Sequence, residues 1–117
     1  MKSYRDLIVW QKSMVLVTMI YKLTVKLPDD EKFGLISQIK RSAISVPSNI
    51  AEGYGRNYRK DYSRFLQIAR GSLYESQTQL EIAVNLSFIA AEDLKEIQEL
   101  SIEVEKMLNS LIKKLEE

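Results

Sequence analysis

The chain has 117 residues, 45% of them apolar, with 17 Lys/Arg against 16 Asp/Glu and neither cysteine nor histidine. That length suits one domain, 1–117, with a core of its own, and the apolar fraction excludes general disorder. The missing residues exclude disulfides, thiolate nucleophiles, zinc fingers and every mechanism built on an imidazole base or ligand. Met1 to Trp10 shows no signal-peptide pattern, and Val15–Leu27 is broken by Thr18, Lys22, Thr24 and Lys26, far short of a membrane span. The expectation is a cytoplasmic protein with no membrane partner.

Punctuation divides the chain into four helical segments, at about 5–27, 31–54, 60–87 and 92–115. The breaks are Pro28-Asp29-Asp30, the Gly53-Tyr54-Gly55 run, and Asn85 to Asp93, whose Glu92 and Asp93 suit a new first turn. In the first segment, Leu7, Trp10, Met14, Val17, Tyr21 and Val25 form one apolar stripe. Val9, Leu16, Ile20, Leu23 and Leu27 form a second, which Ile8, Val15 and Met19 extend. A bundle helix needs one such face, so the second reads as an oligomer interface carried by Val9, Leu16, Met19, Ile20 and Leu23. A helix unusually deep in its own bundle would show the same pattern.

The second segment repeats Ile36, Ile39, Ala43, Val46 and Ile50 at spacings of 3 and 4, with Pro47 inside the pattern as a kink. The third carries Tyr62, Phe65, Ala69, Leu73, Ser76, Leu80 and Ala83. Its small members, together with Gly71, predict a closely approaching helix. The fourth runs Leu94, Ile97, Ser101, Val104, Leu108, Leu111 and Leu115. Together these predict an all-α, antiparallel up-and-down four-helix bundle.

Near-neutrality conceals a division of charge. Residues 36–70 hold seven basic against two acidic groups, net +5, whereas residues 71–117 hold four against ten, net −6. Lys40, Arg41, Arg56, Arg59, Lys60, Arg64 and Arg70, with Tyr54 and Tyr58 among them, are the candidate nucleic-acid contacts. Guanidinium groups suit phosphate, and tyrosine rings stack on unpaired bases. A solvated loop, its basic groups paired with acids of the fourth helix, is the plainer reading of the same residues. Catalysis lacks a constellation. Glu52 and Glu75 are the carboxylates expected to face inward, and Ser45, Ser48 and Ser72 have no base in view. The expectation is a non-catalytic protein with no metal and no cofactor.

The run Ser45-Val46-Pro47-Ser48-Asn49-Ile50-Ala51-Glu52-Gly53-Tyr54-Gly55-Arg56 resembles the signature of the 23S ribosomal RNA intervening-sequence protein family. Tyr4-Arg5-Asp6-Leu7 with Val9-Trp10-Gln11 resembles its opening. Arg64-Phe65-Leu66, Ile68-Ala69, Gly71-Ser72-Leu73-Tyr74-Glu75 and Gln79-Leu80 resemble its third-helix motif. The resemblance implies a four-helix bundle with no established enzymatic activity. The chain is similar, too, to the accessory protein of diversity-generating retroelements, which implies a pentameric homo-oligomer with RNA or single-stranded nucleic acid and a reverse transcriptase as partners. That barrel relies on a strongly basic surface, so an RNA surface here requires the acidic segment to lie on another face.

The motif residues also have structural readings. Pro47 bends the second helix, and Asn49 takes up backbone groups left by the missing Pro47 N–H. Glu52 pairs with Arg56 or Arg41, and Gly53 and Gly55 supply positive φ at the helix end. The two functional expectations are therefore a homo-oligomeric RNA-binding module using residues 40–70, and a protein-interaction scaffold assembled through the first helix.

Overall fold

The computed structural model describes residues 2–117, and among these there is no strand. Four helices follow in order: α1 (Ile8–Thr24), α2 (Leu35–Tyr54), α3 (Arg59–Asn85) and α4 (Lys95–Glu116). Short 3-10 turns at Tyr4–Asp6, Asp29–Glu31 and Ala91–Leu94 precede α1, α2 and α4. The helices run up and down, with α1 against α2 and α4, α3 against the same two, and α1 and α3 at diagonal corners. The 27 residues of α3 rise about 40 Å, and they set the 43 Å length of the molecule.

The spacing-3-and-4 seams of α2, α3 and α4 are the core: Ile39, Ala43, Val46, Ile50, Ala69, Leu73, Leu80, Ala83, Val104 and Leu108 are all buried. In α1 the structure chooses between the two stripes. Val9, Leu16, Ile20 and Leu23 are buried in the chain's own core, Leu16 to 2% exposure, and Met19 packs against it. These five residues therefore do not form the spare interface that the sequence predicts. The apolar surface of α1 consists of Ile8, Met14 and Val15, with Val25 just beyond its end.

The pair α2–α3 is the closest in the bundle, and serine hydroxyls line its contact. Ser42 Oγ meets Ser76 Oγ at 2.9 Å and Gln79 Oε1 at 2.8 Å, and Ser72 donates to Ser45 Oγ at 2.8 Å. Small side chains let the helices approach, and the paired hydroxyls remove the penalty of burying them. Helix α2 continues through Pro47 without a break. The missing N–H deprives the Ala43 carbonyl of its usual donor, the physical cause of the expected bend. Asn49 does not serve that carbonyl. Its Nδ2 donates instead to the Ser45 carbonyl and to Ser45 Oγ, both at 2.8 Å.

Gly53 and Gly55 also differ from expectation, since no described glycine has positive φ. Gly55 ends α2 at φ −78°, an ordinary helical value. Gly53 is buried in the last turn of α2, where a Cβ would stand 2.8 Å from Phe65 Cβ. It is needed for space, not for backbone freedom. The left-handed residue is Ser87, at φ 62°. It follows α3 in a Schellman closure, with Phe88 N–H donating to the Ala83 carbonyl and Ser87 N–H to that of Val84, both at 2.9 Å.

Candidate nucleic-acid interface

The α2–α3 turn and the end of α4 form one tip of the bundle. Arg59 joins them: its guanidinium donates to the Lys114 carbonyl at 2.8 Å and the Leu115 carbonyl at 3.4 Å. A cation at a helix C-terminus satisfies free carbonyls and opposes the helix dipole. Arg56 pairs with Glu52 at 3.0 Å, which decides between the two partners open to that carboxylate. The guanidinium groups of Arg56 and Arg64 lie 4.5 and 4.7 Å from the centroid of Phe65. Tyr54 packs edge-on against Tyr62 at 6.1 Å, and burial raises the Tyr62 phenol above its usual 10.0. Tyr54 is therefore a packing residue. Tyr58 is 72% exposed and Lys60 is exposed, both on the outside of the tip.

The nine candidate contacts thus divide. Tyr54, Arg56, Tyr58, Arg59, Lys60 and Arg64 come together at the tip. Lys40 lies over the Tyr21 ring at 4.8 Å, Arg70 donates to Asn109 Oδ1 at 2.8 Å, and Arg41 is exposed partway along α2. Those three occupy the flanks. The up-and-down topology adds Lys113 and Lys114 from the end of α4, two basic groups that a linear count assigns to the acidic segment. Only helix direction, combined with the seam of α4, could have placed them here.

The net charge changes sign between the two ends of the bundle. Residues 2–9, 48–69 and 109–117, which share the tip, carry eight Lys/Arg against five Asp/Glu, net +3. Residues 20–36 and 81–97, at the far end, carry four against seven, net −3. There Asp93 accepts from Lys26 Nζ and from Ala90 N–H, both at 2.9 Å, and Lys26 first, then Ala90, holds its carboxyl below the usual 3.8. The basic and acidic regions therefore face away from each other along the long axis.

Glu52 and Glu75 are both exposed, contrary to their expected inward placement. Ser45 and Ser72 are engaged in the α2–α3 contact described above, while Ser48 is exposed. Among the described residues no three acidic side chains converge as a metal cage would need. A groove of about 510 Å³ lies between α3 and α4, bordered by Tyr74, Leu80, Ile97, Ile102 and Glu105. At its rim Tyr74 donates to Glu105 Oε2 at 2.8 Å, and that bond raises the phenol above 10.0.

The family model described as "23S rRNA-intervening sequence protein" matches residues 5–110. The chain belongs to that family. A solved structure similar to this chain is that of a Bacteroides thetaiotaomicron protein of unknown function from the S23 ribosomal protein family. It is 31% identical, with a TM-score of 0.81, over 91% of this chain and 99% of that one. No curated protein matches this chain. No described helix is long and apolar enough to cross a membrane.

Proposed function

We propose that this chain is a non-catalytic, self-associating bundle that binds RNA through its basic tip. The observation that supports the reading is that Arg56, Lys60, Arg64, Lys113 and Lys114 share one end of the bundle with the exposed Tyr58, an end of net positive charge, while the other end is net negative. Phosphates approaching the tip meet net positive charge, and a splayed base finds an aromatic face. Lys60, Lys113 and Lys114 are the groups to change, because Arg59 and Arg56 also hold the fold. A labelled single-stranded RNA is titrated against the wild type, against K60Q/K113Q/K114Q, and against K22Q/K26Q/K32Q at the far end. The reading expects the tip variant to bind more weakly and the far-end variant to bind like wild type. Equal weakening by both variants, or no binding by the wild type, refutes it.

The exposed apolar surface of α1 favours a second reading, a protein-interaction scaffold that needs no RNA. Particle mass together with the same titration separates the two.

A further inference from the structure

The groove of about 510 Å³ between α3 and α4 lies along the side of the bundle, apart from the basic tip. Two bonds that cross it fix its register: Arg70 donates to Asn109 Oδ1 and Tyr74 to Glu105 Oε2, both at 2.8 Å. The helices are antiparallel, so at that register Glu81 stands level with Gln98. Seven residues of α3, about 10 Å, separate the level of Glu105 from that of Glu81. Both carboxylates border the groove, and no Lys or Arg does. The ion pairs among the described residues involve neither of them. Arg70, one turn before Tyr74, is turned to Asn109 instead.

The floor of the groove carries an independent signal. Six of the seven buried hydroxyl side chains are hydrogen-bonded within the chain, and the seventh is Ser101, 2% exposed. Among the described residues no side-chain oxygen or nitrogen sealed from solvent lacks a partner, so the Ser101 hydroxyl opens onto the groove that it lines. A hydroxyl so placed has lost most of its water without gaining a protein partner. Ser101 is four residues from Glu105, about 6 Å along α4, and so lies between the two carboxylates. Leu80 and Ile97 supply apolar surface beside it.

We infer that this groove binds a linear aliphatic polyamine. Its terminal ammonium groups meet Glu105 and Glu81, its methylenes lie on Leu80 and Ile97, and an inner nitrogen donates to Ser101 Oγ. An extended saturated chain advances about 1.2 Å per bond, so a span of about 10 Å takes about eight or nine bonds. A triamine with three- and four-carbon spacers has that length, whereas a four-carbon diamine spans roughly 6 Å and reaches one carboxylate only. Tyr74 holds Glu105 through Oε2 and leaves Oε1 for the ammonium group. A divalent cation needs several oxygens converging on one point, and no three acidic side chains converge among the described residues. The inference goes beyond the RNA reading and does not rest on it.

Calorimetry on the full chain without RNA, at fixed ionic strength, tests it with spermidine, diaminobutane, diaminooctane and magnesium chloride. Spermidine is expected to bind, and diaminobutane and magnesium to bind about tenfold more weakly or worse. The variant E81Q/E105Q should bind spermidine about tenfold more weakly than wild type. The variant E92Q/E96Q, whose changes lie outside the groove, should bind it as wild type does. Diaminooctane matches spermidine in length but lacks the inner nitrogen. The wild type should therefore prefer spermidine, and Ser101→Ala should lose that preference. Circular dichroism should show wild-type helicity in every variant, and amide NMR shifts in the wild type should cluster at Leu80, Ile97 and Ser101. A wild type that does not bind spermidine, or binds magnesium equally well, overturns the site, as does an E81Q/E105Q protein that binds like wild type. A Ser101→Ala protein that keeps the preference overturns the role of the hydroxyl. RNA binding by the tip stands or falls on its own titration.

Discussion

Gly53→Ala tests the close approach of α2 and α3 at the tip. The new methyl would sit 2.8 Å from Phe65 Cβ, 3.1 Å from Tyr62 Cδ1 and 3.2 Å from the Tyr62 carbonyl oxygen. Phe65 Cβ and the Tyr62 carbonyl are fixed to the α3 backbone, so relief requires α2 and α3 to move apart. Overpacking of this kind costs about 1–3 kcal/mol, and replacing a helical glycine by alanine returns about 0.5–1 kcal/mol. Taking mid-values, the net loss is about 1.3 kcal/mol. Unfolding entropy of about 2.1 cal/mol/K per residue gives roughly 0.25 kcal/mol/K for this chain, so Tm should fall by about 5 °C. Gly55→Ala is the control. Its methyl meets only carbonyl oxygens at 3.5 and 3.9 Å, at a helical φ, and its Tm should stay within about 2 °C of wild type. Thermal melts followed by circular dichroism supply the assay. A Gly53→Ala protein as stable as wild type, or a Gly55→Ala protein that loses as much, refutes the reasoning.

Other outcomes follow from the same structure. Leu16→Ala empties a fully buried site and should cost about 2–5 kcal/mol in denaturant titration, whereas Val15→Ala, one residue away and exposed, should change fold stability by less than about 0.5 kcal/mol. Ser87→Gly relieves a left-handed serine at φ 62° and should raise stability by about 0.5–1 kcal/mol, read as a higher denaturation midpoint. The carboxyl of Asp93 is held below 3.8 by Lys26 first and by the Ala90 N–H. Its contribution is present above 3.8 and is lost as pH falls from there through the lowered folded value, because the unfolded chain takes up the proton first. Across that acid window the wild type should therefore lose stability more steeply than Asp93→Asn. Tyr58→Ala should weaken single-stranded RNA binding by about 1–3 kcal/mol while leaving its salt dependence unchanged.

Most of the fold is legible in the sequence because helix periodicity and breakers are local signals. The four segments end within a few residues of their observed limits, and three of the four core seams are those predicted. What escapes depends on contacts distant in the chain. Both stripes of α1 are apolar enough to be buried, and only the positions of α2 and α4 decide that Leu16 and Ile20 face inward while Ile8 and Val15 do not. Gly53 looks like a turn glycine because the sequence cannot distinguish a need for positive φ from a need for room. Phe65, which makes the difference, lies across the hairpin. The serines of α2 and α3 look like unassisted nucleophiles until their pairing across the interface is seen.

The candidate site is half legible for the same reason. The basic run from Arg56 to Arg64 is visible as a run, but Lys40, Arg41 and Arg70 share only its place in the sequence, not its place on the surface. Lys113 and Lys114 reach the tip through the up-and-down path of α4. Of the ten acids in residues 71–117, four lie at the far end, four along the middle of α3 and α4, and two at the tip, where Lys113 and Lys114 offset them.

The slope of log affinity against log salt for single-stranded RNA tests the central claim most directly. Each phosphate neutralised contributes about 0.7 to that slope, so K60Q/K113Q/K114Q should flatten it by roughly 2 relative to wild type. A wild-type slope near zero, or a tip variant with the wild-type slope, contradicts the assignment of RNA binding to the basic tip.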